Sequence, residues 1–117
     1  MQKDRFLVGA GGLCGVAGVA LAASAAHAGG AFTGTVSSFL MTHAPVFLAI
    51  GLFAGGRFLR IGAIVLLVGL VLFAGDLLAR DFLGGRLFPF AAPVGGTLLI
   101  VGWVLIAASA LLPTRTE

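Results

Sequence analysis

Apolar residues dominate the chain in four long runs that short polar breaks separate. The runs span about residues 6–27, 39–56, 61–79 and 91–112. Each is close to the roughly 20 mostly apolar residues that an α-helix needs to cross the hydrocarbon core of a bilayer. The pattern predicts an all-α fold, an integral membrane four-helix bundle with short loops. Because little chain remains between the runs, residues 1–117 are expected to form a single transmembrane domain.

Capping and helix-breaking residues indicate where these helices begin and end. Ser37 and Ser38 are candidate N-caps for the second helix, and Pro45 then falls near its first turn. Pro93 fits the first turn of the fourth helix, where a missing backbone donor does little harm. Pro113 follows the last apolar residue and is expected to close that helix.

Composition supports a membrane location. Hydrophobic residues make up 60% of the chain and charged residues only 9%, and the mean hydropathy is +1.18. A soluble domain carries roughly a quarter charged residues because its surface faces water. The expected partner is therefore the lipid bilayer. The basic residues behind the net charge of +3 are scattered and form no patch, so nucleic acid is not an expected partner.

The distribution of basic residues predicts the orientation. With four spans, Lys3, Arg5, Arg57, Arg60 and Arg115 fall on one side, and Arg80 and Arg86 fall on the other. Basic residues in short loops favour the cytoplasmic side. The sequence thus predicts a multi-pass protein of the bacterial inner membrane with both termini in the cytoplasm.

The first run has a competing interpretation as a secretory signal. A charged start precedes an apolar stretch, and Ala26-His27-Ala28 resembles a cleavage site. Cleavage would leave three helices. The run is longer than the apolar part of most signals and its glycines suit a packed helix, so we expect it to be retained. Cys14, the single cysteine, lies in this run and is expected to be a small core residue.

Glycine spacing predicts close helix packing, because helices in lipid associate through small residues. The chain has 19 glycines, and the spaced pairs are Gly11 with Gly15, Gly51 with Gly55, Gly62 with Gly69, and Gly95 with Gly102. Two interpretations remain open. The glycines pack the four helices of one chain, or one glycine face binds a second copy in a homo-oligomer.

Four polar residues are candidates for a functional site at the outer end of the bundle. His27 ends the first helix, His43 begins the second, and Asp76 and Arg80 end the third. Asp76 is the only acidic residue inside an apolar run, which makes it a functional candidate. Arg80 follows four residues later, the favourable order for a helical ion pair, so we favour a structural pair over a proton or solute site.

Other chemistry is not expected. Two histidines and a carboxylate are potential zinc or copper ligands, but their loose spacing does not favour a metal site. No cofactor motif or catalytic constellation is present, so an enzyme is not expected. Trp103, about three turns inside the fourth helix, is expected to be a packing residue.

The C-terminal half resembles a known family. Pro93, Gly95 and Gly96, followed by Gly102 and Trp103, are similar to the proline-to-tryptophan signature of the YgdD-like small membrane proteins, domain of unknown function 423. Residues 69–75 and 22–27 are similar to two further stretches of that family. The resemblance implies four spans, a retained first helix and no established activity. The family usually has a small or hydroxyl residue where Asp76 stands, and a histidine closer to residues 48–50 than His43.

Two functional hypotheses follow. The leading one is a non-enzymatic membrane protein that acts by packing with itself or with another membrane protein. The alternative is a small oligomeric transporter or proton-linked channel that uses Asp76 near the outer face.

Overall fold

Four α-helices joined by short loops make up the structure, a computed structural model that describes residues 3–53 and 55–113. They are α1 (Arg5–Ala28), α2 (Thr33–Phe53), α3 (Arg57–Phe82) and α4 (Ala91–Ser109). Each is long and apolar enough to cross a membrane, and the described residues contain no strand. The predicted all-α membrane bundle is confirmed.

The start of α2 differs from the prediction. The helix begins at Thr33 rather than near residue 39, so Ser37 lies inside it. The Ser37 hydroxyl donates to the carbonyl oxygen of Gly18 on α1 at 2.7 Å. The capping role expected for Ser37 and Ser38 is therefore wrong, and Pro45 lies in the helix interior rather than near its first turn.

The later boundaries are closer to expectation. α3 begins at Arg57, so most of residues 55–60, predicted as the turn between the second and third helices, are helical. The helix then continues past Ala79 to Phe82. α4 begins at Ala91 as predicted, but it ends at Ser109 rather than Leu112. Arg115, which the orientation argument used, lies outside the described residues.

The helices pack as two hairpins. In the first hairpin α1 packs along α2, in the second hairpin α3 packs along α4, and α2 meets α3 over a smaller area. The molecule is flattened, with dimensions of 50 × 27 × 17 Å. In the most apolar stretch of α1 and of α4 only 22% of the residues are buried, against 44% in α3. The outer helices therefore offer most of their surface to their surroundings.

Glycines let the two backbones of the second hairpin touch. A methyl group added at Gly95 would lie 2.5 Å from the backbone nitrogen of Phe73. One added at Gly102 would lie 2.8 Å from the Cα of Leu66, and one at Gly69 would lie 2.8 Å from the carbonyl oxygen of Gly95. These glycines, predicted as spaced pairs, are used for packing within one chain.

The first hairpin uses part of the small-residue stripe that the sequence predicts on α1, in which Gly18, Ala22 and Ala26 continue the pair of Gly11 and Gly15. A methyl group at Gly11 would lie 2.8 Å from the Cγ of Leu48, and one at Gly18 would lie 2.7 Å from the sulfur of Met41. Gly15, the expected partner of Gly11, has no neighbouring atom within 4 Å of its Cβ position. The face against α2 therefore combines Gly11 with Gly18, two turns apart, and Gly15 is not part of it.

The two ends of the bundle hold different side chains. The N-terminus meets the end of α2, where the backbone nitrogen of Asp4 donates to the carbonyl oxygen of Gly51 at 2.7 Å. We call this the basic end, and it holds Lys3, Arg5, Arg57 and Arg60. The opposite end, here the loop end, holds the α1–α2 and α3–α4 loops. The expectation that the N-terminal and middle basic segments share one side is met.

Candidate functional site

Asp76 and Arg80 form an ion pair on α3 toward the loop end. The Asp76 side chain is fully buried, at 0% exposure. The Arg80 guanidinium donates from Nη2 to the Asp76 carboxylate at 2.7 Å, so the pair expected from the four-residue spacing is present. Asp76 is only three residues from the end of its apolar run, a position that predicts contact with water near the headgroups. That prediction is wrong, because neighbouring groups cover the carboxylate completely.

Further contacts fix this pair in place. The other carboxylate oxygen of Asp76 accepts the backbone N–H of Leu87 at 2.8 Å, which ties the α3–α4 loop to α3. The guanidinium of Arg80 lies 5.5 Å from the ring centre of Phe32, within cation–π range. Both oxygens of Asp76 thus have a partner and neither is exposed, so a ligand would have to displace the groups that cover them.

Asp81 is a second carboxylate at the loop end; it is half-buried, and the sequence analysis did not identify it. Its Oδ2 accepts the backbone N–H of Phe32 at 2.8 Å and the hydroxyl of Thr33 at 2.7 Å. Asp81 therefore caps α2 from α3, supplying an acceptor that the first turn of a helix needs. A Cβ at Gly30 would lie 2.6 Å from the Asp81 carboxyl carbon, so the loop fits closely around the cap. In the sequence Asp81 is an ordinary charge at a helix end, and no local signal relates it to α2.

His43 lies near the middle of α2 and is only 5% exposed. The expectation that it begins the second helix at the outer end is wrong, because α2 starts at Thr33. At 1.5 Å per residue His43 lies about 15 Å along the helix from that start, near the centre of a bilayer. The structure thus separates His43 in depth from Asp76 and Arg80.

Trp103 of α4 binds His43 across the bundle. The indole Nε1 donates to Nε2 of His43 at 3.2 Å. The other ring nitrogen, Nδ1, lies 2.8 Å from the carbonyl oxygen of Phe39, which can only accept. These two partners select the arrangement in which Nδ1 of His43 donates and Nε2 accepts. Trp103, expected to be only a packing residue, forms a polar link between α4 and α2 and is still 41% exposed.

An open groove of about 310 Å³ runs beside this histidine–tryptophan pair. It is lined by Phe39, His43, Phe73, Gly96, Leu99, Ile100 and Trp103. The rings of Phe39 and Phe73 pack with their centres 4.8 Å apart. Because the polar atoms of His43 already have partners, the groove offers an apolar surface rather than a free hydrogen-bonding site.

His27 stands apart from the other candidates. It is exposed in the last turn of α1, and no hydrogen bond in the described ranges joins it to Asp76, Arg80 or His43. Within residues 3–53 and 55–113, no group of three histidine, cysteine or acidic side chains is arranged to hold a metal ion. Of the four candidate residues, the structure brings together only Asp76 and Arg80.

The family-motif residues have two positions on α4. Gly95 and Gly102 face α3 and permit the close contact of the second hairpin. Gly96 and Trp103 line the groove beside His43. Pro93 lies in the first turn, and its carbonyl oxygen accepts the hydroxyl of Thr97 at 2.8 Å. The motif thus combines one packing face with the polar link to α2.

Comparison with known proteins finds one family and one curated relative. The family model described as a protein of unknown function (DUF423) matches residues 9–96, a range that includes His43 and Asp76 but ends before Trp103. A UPF0382 membrane protein from Haemophilus influenzae is 34% identical over 71 residues, covering 59% of this chain and 57% of that protein. The match therefore spans less than two thirds of the relative. No solved structure matches the chain.

Proposed function

The chain belongs to the DUF423 family of proteins of unknown function, and we propose that it is a non-enzymatic inner-membrane protein that packs with itself or with another membrane protein. Its multi-pass membrane character follows from four spanning helices and a membrane relative. The basic end supports the orientation in which the N-terminus and the α2–α3 turn face the cytoplasm, because basic residues in short connections favour that side.

One observation carries the proposal: α1 has a small-residue surface that the chain itself leaves uncovered. A groove of about 520 Å³ lies between α1 and α3, and its lining is apolar except for Arg5. Gly9 lines this groove and has no atom within 4 Å of its Cβ position, and neighbouring Gly12 is equally open. Small residues let a second helix approach closely in lipid. The occupant proposed for the groove is therefore a transmembrane helix of a second copy or of another membrane protein.

The test is purification in a mild detergent, with the mass of the complex and its protein composition measured. We expect a particle larger than one chain, and Gly9→Leu should release the chain as a monomer with its helix content unchanged. Gly96→Leu is the matched control, because Gly96 is also an open glycine of a spanning helix but lies in the other groove. A monomeric wild-type protein without a partner, both in detergent and after cross-linking in membranes, would refute the proposal.

Transport through Asp76 is the alternative, and the closed surroundings of this carboxylate argue against it. Asp76→Asn and Arg80→Ala should lower thermal stability, because each removes a partner from a buried pair. A transporter that uses Asp76 would instead keep its stability in Asp76→Asn and lose proton or solute flux in reconstituted vesicles. The two outcomes separate a structural ion pair from a transport site.

A further inference from the structure

The basic end contains a cleft whose charge is not balanced within the described chain. The cleft has a volume of about 410 Å³ and is lined by Lys3, Asp4, Arg57 and Arg60, with Leu7 and Ile50 on its apolar side. Arg60 donates to the Asp4 carboxylate. In residues 3–53 and 55–113, Asp4–Arg60 is the ion pair found at this cleft. Two of its three cations, Lys3 and Arg57, have no carboxylate partner there.

The positions of Arg57 and Arg60 are unfavourable for the helix that carries them. Arg57 and Arg60 lie in the first turn of α3, which has no acidic residue. The start of a helix carries partial positive charge, so basic side chains are disfavoured and anions are favoured there. A preference for basic residues at the cytoplasmic surface explains the end on which they lie. It does not explain why three of them surround one cleft.

The backbone adds donors at the same place. α3 is preceded by Gly56, which has a φ of 100° and makes no side-chain capping bond. The first amide groups of a helix need an acceptor from a cap, from water or from a ligand. At the start of α1, Asp4 supplies that acceptor by binding the N–H of Leu7 at 3.2 Å. At α3 the first backbone amide groups of the helix lie beside Arg57 and the cleft.

We propose that this cleft binds the phosphate group of an anionic membrane phospholipid. Lys3 and Arg57 supply positive charge, the uncapped start of α3 supplies backbone donors, and Leu7 and Ile50 contact the apolar part of the lipid. The cleft lies where the spanning helices end, which is the depth of lipid headgroups. Zwitterionic lipids carry the same phosphate with a compensating cation, so the net positive charge of the cleft favours phosphatidylglycerol over phosphatidylcholine.

The experiment measures lipid binding to the purified full-length protein in detergent by native mass spectrometry. Phosphatidylglycerol and phosphatidylcholine are added separately at equal concentration. Wild-type protein should bind phosphatidylglycerol preferentially, and Lys3→Gln and Arg57→Gln should each weaken that binding by about tenfold. Arg5→Gln is the matched control: it removes a cation from the same end, but Arg5 lines the α1–α3 groove and not the cleft. It should change binding less than about twofold.

Inorganic phosphate distinguishes the two sources of the anion. Phosphatidylglycerol binding that persists in millimolar phosphate supports the lipid as the occupant. Displacement by phosphate, with phosphate binding lost in Arg57→Gln, keeps the phosphate site but overturns the lipid as its occupant. Equal binding of the two lipids, or equal losses in Arg5→Gln and Arg57→Gln, overturns the proposed site. Helix content of each variant is measured by circular dichroism, so a folding defect is recognised separately.

Discussion

The contacts inside each hairpin and the contacts between the two hairpins depend on different interactions. Inside the second hairpin, backbone approaches backbone, as where the Cβ position of Gly95 comes 2.5 Å from the nitrogen of Phe73. Inside the first hairpin, Gly11 and Gly18 approach the side chains of Leu48 and Met41. In both cases stability comes from close packing of small residues, as expected in lipid.

Between the hairpins, polar side chains provide the specific links. They occur at three depths: Asp4 with Arg60 at the basic end, His43 with Trp103 in mid-span, and Asp81 with Thr33 at the loop end. The α2–α3 contact that accompanies them is small compared with the packing inside each hairpin. Directional hydrogen bonds can therefore fix how one hairpin is aligned with the other, where apolar contact alone specifies little.

The hairpins should therefore tolerate substitutions differently from the contact between them. Substitution of a glycine where the two helices of a hairpin touch should destabilise the fold itself. Loss of a polar link should loosen the pairing of two hairpins that remain folded. The following predictions test this difference, starting with the largest effect.

Gly95→Ala should cause the largest loss. The added methyl would meet the backbone of Phe73, which cannot move aside as a flexible side chain can. Overpacking of this kind costs about 1–3 kcal/mol. Gly96→Ala is the matched control, with open space at its Cβ position. It should stabilise the helix by up to about 1 kcal/mol because alanine favours helix more than glycine. Unfolding by sodium dodecyl sulfate in mixed micelles, followed by circular dichroism, measures both changes; equal effects would contradict the packing argument.

Asp81→Ala should have the next largest effect. It removes the cap of α2 and the link from α3 to Thr33. We expect the melting temperature to fall by about 4 °C, the size of one lost helix cap of about 1 kcal/mol in a chain of this length. Asp81→Asn keeps an acceptor oxygen and should recover most of the loss. If Asp81→Asn were as destabilising as Asp81→Ala, charge rather than capping would be responsible.

The mid-span link should contribute less. A double-mutant cycle with His43→Phe and Trp103→Phe should give a coupling of about 0.6 kcal/mol, typical of a hydrogen bond between membrane helices. Trp103 is the single tryptophan of the chain, so its fluorescence reports the indole environment directly. We expect the emission to shift in His43→Phe. An unchanged spectrum together with zero coupling would show that Trp103 does not bind His43.

The basic-end link should have the smallest effect, and it depends on pH. Burial alone would raise the pKa of the Asp4 carboxyl, but hydrogen bonds from Arg60 and from the Leu7 amide outweigh it and lower the pKa below 3.8. A lowered pKa in the folded state means that the stabilisation is complete above the unfolded pKa and is lost as the pH falls through the folded value. The side chains are partly exposed, Arg60 by 50% and Asp4 by 18%, which limits the effect to about 0.3 kcal/mol, the low end for exposed ion pairs.

Stability measured from about pH 6 down into the acid range, past the ordinary pKa of a carboxyl group, checks this prediction, because the lowered pKa of Asp4 places the loss of its stabilisation there. As the pH falls, the wild-type protein should lose a small part of its stability that Asp4→Asn lacks at every pH. The stability curves of the two proteins should therefore converge at low pH. Curves that stay parallel over the whole range would show that the Asp4–Arg60 pair contributes nothing to the fold.

What the sequence determined by itself was the set of properties that depend on near neighbours along the chain. Apolar runs of spanning length predicted four membrane helices, because the length of a run and its hydropathy are local quantities. The spacing of Asp76 and Arg80 predicted their ion pair for the same reason, since residues four apart share a helix face. The spaced glycines of α3 and α4 likewise lie on one face of each helix, which predicted that those faces pack closely.

Contacts between groups that are far apart in the chain could not be predicted in this way. The cap of α2 comes from Asp81, which is 48 residues from Thr33 in the chain. Without knowledge of that cap the helix start was predicted too late, and His43 was consequently placed at the membrane surface instead of mid-span. In the same way Gly11 and Gly15 have the same local pattern, yet only Gly11 faces α2. Which face of a helix is buried depends on the helices that pack against it, and this is fixed only when the hairpins assemble.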